Sequence, residues 1–345
     1  MNDLIARIGP VDEAVRAATE ALLDAKTKPR RSLGRLEELA AQIAAVHGSV
    51  PPGLEAAIVV AAADHGVAAE GVSAYPQEVT AQMVLNFAGG GAAINVLARQ
   101  AGARLVVVDA GVAAPVEHEL VRALRFGNGT ANLAVGPAMT VEVAEQAVLA
   151  GAGLVEELAG VDAIGLGEMG IGNTTSASAL VAALLGVSPE LVCGRGTGLD
   201  DDGVARKAAT VARALEANRV DAGDPLAVLA ALGGFEIALL VGVALGCAAN
   251  RVVCVLDGFI TGAAALVAAR IAPDAVGAMI ASHRSTEPGH AFVLDALGLE
   301  PVLDLGLRLG EGSGAALALP ILRSAVAVLN EMATFADAGV TDAGR

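Results

Sequence analysis

Three stretches of this chain, AAIVVAAADHGV at 56–67, ARLVVVDAGV at 103–112 and RVVCVLDGF at 251–259, each carry an apolar run of strand length that closes on an Asp with a Gly just beyond it. A strand with one face in water alternates apolar and polar residues, whereas an unbroken apolar run is buried on both faces. That is the condition of a parallel sheet with helices on either side. The intervening sequence is helical by pattern, so the runs imply an α/β domain built on a mostly parallel, Rossmann-like sheet. Asp64 and Asp109 then fall at the carboxyl ends of their strands, on the edge where ligands bind in open α/β sheets.

A fourth stretch, VDAIGLGEMGIGNTTSASALVAALLGV at 161–187, reads as strand, glycine-rich turn and helix in immediate succession. Val161 to Leu166 has the length of a buried strand, and Gly165, Gly167, Gly170 and Gly172 allow a tight turn. Asn173, Thr174 or Thr175 can cap a helix beginning near Ser176. Unpaired N–H groups at such a turn, backed by the helix dipole, suit a phosphate or carboxylate. Glu168 is expected inside the same turn. A carboxylate there would repel an anion unless it addresses another part of the ligand, so two chemically different ligand parts are expected to meet at this loop; an ordinary connection with an exposed Glu is the alternative.

Composition narrows the partners. A formal charge of −16, one Tyr, no Trp and six Phe oppose a phosphate-backbone partner and leave little for base stacking, so nucleic acid is not expected. The mean hydropathy of +0.61 raises the question of a membrane. The most apolar zone, Ile237 to Ile271, is interrupted by Asn250, Arg251, Asp257 and Arg270, and no uninterrupted part reaches the roughly 20 residues of a span. It reads as helix, strand and helix. The amino terminus carries acidic residues and lacks the apolar core of a secretory signal. Cys193, Cys247 and Cys254 are widely spaced among apolar residues, which implies neither a disulfide framework nor a metal site. A cytoplasmic protein without a membrane segment is the expectation.

Further elements follow from periodicity. Helices are expected over Val11–Leu23 and Leu33–Val46, broken by TKPRRS, and their position ahead of the first strand suggests a small helical subdomain. The basic cluster Lys26, Lys28, Arg30, Arg31 and Arg35 reads as a solvated turn, or else as an anion or subunit contact. Residues 79–102, 140–158, 225–248 and 260–270 are also helical by pattern. The strand over 275–281 leads to a loop crowded with Ser282, His283, Arg284, Ser285, Glu287 and His290. The 307–332 stretch reads as a loop centred on Glu311 running into a long helix, inside which Pro320 predicts a kink or break.

Several nucleotide signatures are missing. No GxGxxG with a following acidic residue accompanies the first strand, and there is no GxxxxGK[ST] and no HExxH. GGGAAINV at 89–96 lies in helical pattern and is weak support for a dinucleotide. Instead, the loops at 165–173, 194–203 and 310–314 each join glycines to functional side chains: Glu168; Arg195 with Asp200 to Asp202; and Glu311 with Ser313. Backbone amides can hold phosphate or ribose oxygens, and Lys207 can add a positive charge. Two isolated carboxylates can serve a reaction needing a base and stabilisation of positive charge. Glycosyl transfer to a nitrogen nucleophile at a ribose anomeric carbon fits.

At these residues the sequence resembles the nicotinate-nucleotide–dimethylbenzimidazole phosphoribosyltransferase family, which assembles the lower ligand of cobalamin. The matching segments are TKPRRSLGRLEELA, ADHGVAAEGVSAYPQEVTAQMVLNFAGGGAAINVLAR, GLGEMGIGNTTSASAL, GRGTGLDDDGVARK, LDGFITGAAAL, SHRSTEPGH and LRLGEGSGAALA, running from residue 26 to the carboxyl-terminal region. TKPRRS departs from the TKPPGS of the family pattern. The resemblance implies a large α/β catalytic domain over 51–314, a small helical domain from 1–50 and 315–345, and a homodimer.

It implies nicotinate mononucleotide and a benzimidazole base as substrates, with no cofactor and no metal. Glu311 is implied as the general base and Glu168 as a second active-site carboxylate. Tyr75, Gln82, Met169 and Leu309 match the base pocket, while Gly170, Asn173, Gly196, Lys207 and Ser285 match the side holding the nucleotide's phosphate and ribose. An NAD(P)-dependent oxidoreductase on the same architecture and a non-catalytic nucleotide sensor are the alternatives.

Overall fold

The computed structural model describes residues 1–341. Its centre is a six-stranded sheet in the order β3-β2-β1-β4-β5-β6, made of β1 (Ala56–Ala63), β2 (Arg104–Gly111), β3 (Val121–Ala123), β4 (Ala163–Met169), β5 (Val253–Leu256) and β6 (Met279–Ala281). Every pairing is parallel. This is the doubly wound order, with the switch of direction between β1 and β4.

The apolar runs do what their lack of alternation implies. All eight residues of β1 are buried. Ala57, Val59, Ala61 and Ala63 join the core beneath helices Val141–Glu157, Phe235–Ala249 and Phe259–Ile271. Ile58, Val60 and Ala62 join the opposite core, under helices Arg35–His47, Val79–Ala88 and Ser313–Glu331. Helix Glu13–Asp24 packs on Arg35–His47, and the Ser313–Glu331 helix touches both, so the two ends of the chain meet. Residues 342–345, the last of the 315–345 stretch expected in the small helical domain, lie outside the described residues.

Four local expectations need correction. The 79–102 stretch is two helices, Val79–Ala88 and Ala93–Gln100, because Gly89, Gly90 and Gly91 interrupt it and Asn95 Oδ1 accepts the Ala92 N–H at 3.0 Å to start the second. The 225–248 stretch likewise divides at Gly233–Gly234 into Pro225–Leu232 and Phe235–Ala249. β4 runs on to Met169, pairing Glu168 with Ala61, so Glu168 is a strand residue rather than a turn residue. The helix after it starts at Asn173 behind Gly172, with no side-chain cap.

Pro320 sits inside the unbroken Ser313–Glu331 helix. By length and apolarity Val79–Gln100 and Ser313–Glu331 could each cross a membrane. The first, however, is the interrupted pair of helices, and the second buries Ala315, Ala318, Leu319, Leu322 and Val326 against the sheet.

The basic cluster is divided in its roles. Lys26 and Lys28 are buried: Lys26 Nζ donates to the Met332 carbonyl at 2.6 Å, and Lys28 Nζ to Glu37 Oε2 at 2.7 Å. Glu37 Oε1 accepts the Leu33 N–H at 2.9 Å, so that carboxylate closes the TKPRRS turn while Arg30 and Arg31 stay exposed. Breaking a buried pair strands the surviving charge, which costs about 3 to 5 kcal/mol, whereas removing both partners costs much less. Lys28→Met should therefore lower the unfolding free energy by about 3 kcal/mol in urea denaturation, and Lys28→Met with Glu37→Leu should recover most of it.

Candidate active site

The carboxyl edge of the sheet opens into a cavity of about 520 Å³. Its walls come from the Tyr75–Met83 segment, the end of β4 and its turn, Gly196–Thr197, the turn after β5, the loop after β6, and Arg308–Glu311. The three glycine loops singled out in the sequence thus meet in one place, although 197 and 310 are over a hundred residues apart. Tyr75, Val79, Met83, Met169, Ile171 and Leu309 give one part of the wall an apolar character. Gly170, Asn173, Thr174, Gly196 and Ser285 form the part richer in N–H and hydroxyl groups. The Asn173–Leu185 helix begins there uncapped, so the positive end of its dipole faces this part of the cavity.

Close approach of two backbones creates the site. A Cβ on Gly167 would lie 2.5 Å from the Glu311 carbonyl oxygen, so only glycine lets the Glu311 loop rest on β4. Gly310 faces the Glu168 carboxylate with the same lack of room. Glu311 itself has φ +63, a left-handed backbone that side-chain-bearing residues rarely adopt. Its Oε2 accepts the Ile94 N–H at 3.3 Å, at the start of the Ala93–Gln100 helix. Behind it Asp257, at the end of β5, accepts N–H bonds from Gly314 (2.6 Å) and Ala315 (3.4 Å) on Oδ1 and from Gly312 (3.1 Å) on Oδ2. Asp257 thereby holds the first turn of the Ser313–Glu331 helix and the loop carrying Glu311.

Four carboxyl groups, Glu168, Asp257, Glu287 and Glu311, line this cavity, all nearly buried. Burial is the main cause that raises the Glu168 carboxyl to about 8. The charges of Asp257, Glu236 and Glu311 add to it, against a hydrogen bond from the Asn173 amide. Burial also raises Asp257 to about 7 despite its three N–H donors, with the charge of Glu311 adding to the rise. Glu311 is raised by burial and lowered by the Ile94 N–H. A protonated Glu168 does not repel an anion, which removes the conflict posed by a carboxyl group beside an anion-binding turn.

Lys207 does not line the cavity but stands directly behind it. Fully buried, it donates through Nζ to Thr174 Oγ1 at 3.0 Å and to the Gly194 carbonyl at 3.1 Å, and it sits against Gly196. Burial lowers its pKa, with Glu287 opposing. Glu287 Oε1 in turn accepts the Gly196 N–H at 2.9 Å.

Gln82 is exposed and lies outside the lining, whereas Val79 and Met83 of the same helix are within it. Asp64 and Asp109 also lie outside. Asp64 Oδ2 accepts the Ala113 N–H at 2.7 Å; Asp109 accepts N–H bonds from Gly111 and Val112 and pairs with Arg125, which makes both supports for the loops beyond β1 and β2. Asp257 carries the same strand–Asp–Gly signature, and it is the one of the three that reaches the cavity. Of the crowded loop after β6, His283, Ser285 and Glu287 line the cavity; His290 is buried behind it, its Nδ1 accepting the Ser285 N–H at 2.9 Å. All three cysteines are free and buried.

With the geometry in place, comparison with known proteins gives a consistent result. The phosphoribosyltransferase family model matches residues 8–340. The chain is 54% identical to the nicotinate-nucleotide–dimethylbenzimidazole phosphoribosyltransferase of Roseiflexus sp. (strain RS-1), over 99% of this chain and 98% of that protein. It is 53% identical to the enzyme of that name from Solidesulfovibrio magneticus, over 99% of each. Among solved structures, the crystal structure of CobT from Thermus thermophilus superposes with a TM-score of 0.91 at 51% identity, covering 95% of this chain and 99% of that one.

The raised carboxyls set a pH dependence. Glu168 and Asp257 hold protons in the folded chain at pH values where the unfolded chain has lost them, so the native state binds more protons. Their contribution to stability is complete below about pH 4 and is lost as pH rises through about 7 and 8. The ligand-free protein should melt at a lower temperature at about pH 8.5 than at about pH 6, and Glu168→Gln should flatten that decline. Calorimetry across this range checks it.

Proposed function

The chain belongs to the nicotinate-nucleotide–dimethylbenzimidazole phosphoribosyltransferase family, and from that premise we propose that it transfers the phosphoribosyl group of nicotinate mononucleotide to 5,6-dimethylbenzimidazole. The products are α-ribazole 5′-phosphate and nicotinate. The observation that carries this reading is a single cavity with an apolar wall at one part, glycine-loop N–H groups at another, and Glu311 in its lining on a fixed backbone. A flat apolar base and an anionic nucleotide need such a division.

The chemistry follows from what each group can do. A ring nitrogen of the benzimidazole attacks the anomeric carbon with its lone pair while the bond to the pyridinium nitrogen breaks. The electron pair of that bond neutralises the pyridinium, which leaves as nicotinate. The benzimidazole becomes cationic and its other N–H is acidified; Glu311 takes that proton. Burial raises Glu311 toward the working pH, which improves a carboxylate as a base. Glu168, tied to Asn173, serves to position and stabilise charge.

Tyr75, Met169 and Leu309, joined by Val79 and Met83, form the base pocket. Gly170, Asn173, Gly196 and Ser285, with Lys207 behind them, form the nucleotide side. A homodimer, which the family resemblance implies, belongs to the same reading. The oxidoreductase alternative has no support: β1 leads into Asp64-His65-Gly66 without the dinucleotide fingerprint, and the relatives described above are phosphoribosyltransferases.

Incubation of the folded protein with nicotinate mononucleotide and 5,6-dimethylbenzimidazole should yield α-ribazole 5′-phosphate and nicotinate, resolved by chromatography; unchanged substrates would sink the reading. Glu311→Gln keeps the side chain's shape but cannot take a proton, so kcat should fall by roughly 10²- to 10⁴-fold with binding of both substrates retained. Lys207→Ala removes a positive charge behind the nucleotide side. It should raise KM for nicotinate mononucleotide at least several-fold more than KM for the base, and equal changes would indicate a purely structural lysine.

A further inference from the structure

Behind the turn that joins Glu168 to Asn173 lies a buried pair that the proposed reaction does not use. His65, one residue past Asp64 at the end of β1, meets Glu236 in the first turn of the Phe235–Ala249 helix, with Nε2 and Oε1 2.6 Å apart and both side chains fully buried. His65 Nδ1 and Glu236 Oε2 have no hydrogen-bond partner among the described residues. The pair touches the glycine turns on two sides. A Cβ on Gly170 would fall 3.2 Å from Glu236 Oε1 and 3.3 Å from His65 Cδ2, one on Gly172 3.2 Å from His65 Cβ, and one on Gly234 2.6 Å from Glu236 Oε2. A well-packed apolar pair would fill this space without desolvating an ionisable group. Gly170 and Asn173 line the cavity, so whatever holds their turn also shapes the site.

We propose that His65 and Glu236 are a positioning pair for the transferase site: they fix the Gly170–Gly172 turn and set the Glu236 carboxyl group behind it, where it couples electrostatically to Glu168. This rests on the reading that Glu168 acts in the cavity. The ionisable groups facing Glu168 are Asp257 from β5, Glu311 from the loop before the last helix, and Glu236; Asn173 adds its amide. Those facing the pair are Asp64 and Glu168. The cations Lys207 and Arg308 are engaged elsewhere, with Thr174 and Gly194 and with the Gly196 carbonyl. Among the described residues, His65 Nε2 is the side-chain hydrogen-bond partner of Glu236, and the partner of Glu168 is the neutral Asn173 amide. With its proton in place, Glu168 leaves the cavity one negative charge fewer when the nucleotide's phosphate enters.

The test follows the carboxyl carbons of ¹³C-glutamate-labelled, ligand-free, full-length protein by NMR against pH, with Glu168 and Glu236 assigned from their Gln variants. In Glu236→Gln the Glu168 midpoint should move down by roughly half a unit or more, because a like charge has been removed. Glu236→Asp, which draws the carboxylate back by one methylene, should move it in the same direction by less, and it serves if the Gln variant does not fold. In the parent itself, the two resonances should each inflect at the other's midpoint. The pH profile of kcat/KM should shift with Glu236→Gln in the parent background and stay put in a Glu168→Gln background, a pattern that loss of packing alone would not give. An unmoved or higher Glu168 midpoint, without mutual inflection in the parent, would make the pair core filling and overturn the proposal. Absence of transferase activity in the parent would remove the functional reading while leaving the titration result intact.

Discussion

The hydrogen bonds that Asp257 accepts from Gly312, Gly314 and Ala315 are the hinge of this architecture. They join the end of β5 to the first turn of a helix that begins more than fifty residues later. A carboxylate at a helix N-terminus satisfies N–H groups that would otherwise be orphaned and is favoured by the dipole. Here the consequence reaches further, since the residue immediately before that helix turn is the left-handed Gly312 and the one before it is Glu311. With the helix start fixed on one side and Gly167 admitting the loop on the other, Glu311 has a single place to stand. Its left-handed backbone carries a strain on the order of 1 to 2 kcal/mol, tolerated because these contacts over-determine the conformation.

The same arrangement concentrates acid groups. Glu168, Asp257 and Glu311 come from three segments, and Glu236 approaches from a fourth, all four side chains being buried. Like charges at close quarters in such surroundings cannot all ionise, so the cluster retains protons near neutrality. The division of labour follows from what each carboxyl touches. Asp257 is saturated with backbone N–H groups and is structural, Glu168 is tied to an amide, and Glu311 has a single N–H contact.

Much of the fold was legible because its signals are local. A strand buried on both faces has to be apolar throughout, and that placed β1, β2, β4 and β5. The glycine loops were legible only in part: Gly170 and Gly172 do make the turn after β4, whereas Gly165 and Gly167, expected in it, are strand residues. What was not legible depends on partners distant in sequence. The end of β4 could not be set at Met169 without β1 beside it, and Glu168 was accordingly expected in the turn. Gln82 and Met83 differ by one residue, yet about 100° of helical rotation separates an exposed side chain from one facing the cavity. Asp64, Asp109 and Asp257 share a signature, and only the loops that fold back on them decide that the third lines the site. The roles of Glu311 and Lys207 came from family resemblance, because a glutamate after glycine and a lysine on a helix have many ordinary explanations.

The ends of the chain are stitched together: Lys26 and Thr334 form an antiparallel bridge, Thr27 donates to the Ala333 carbonyl and Phe335 to that of Ala25. During synthesis, residues 13–47 and the central strands leave the ribosome long before residues 313–335 exist. One face of the sheet, with Ile58, Val60 and Val255, then lacks the helix that covers it in the finished molecule. An incomplete chain is thus both sticky and without Glu311. Closure of the last helix covers the exposed apolar layer and delivers the final carboxyl group in one event, so a prematurely terminated product keeps an uncovered sheet face prone to association and lacks Glu311.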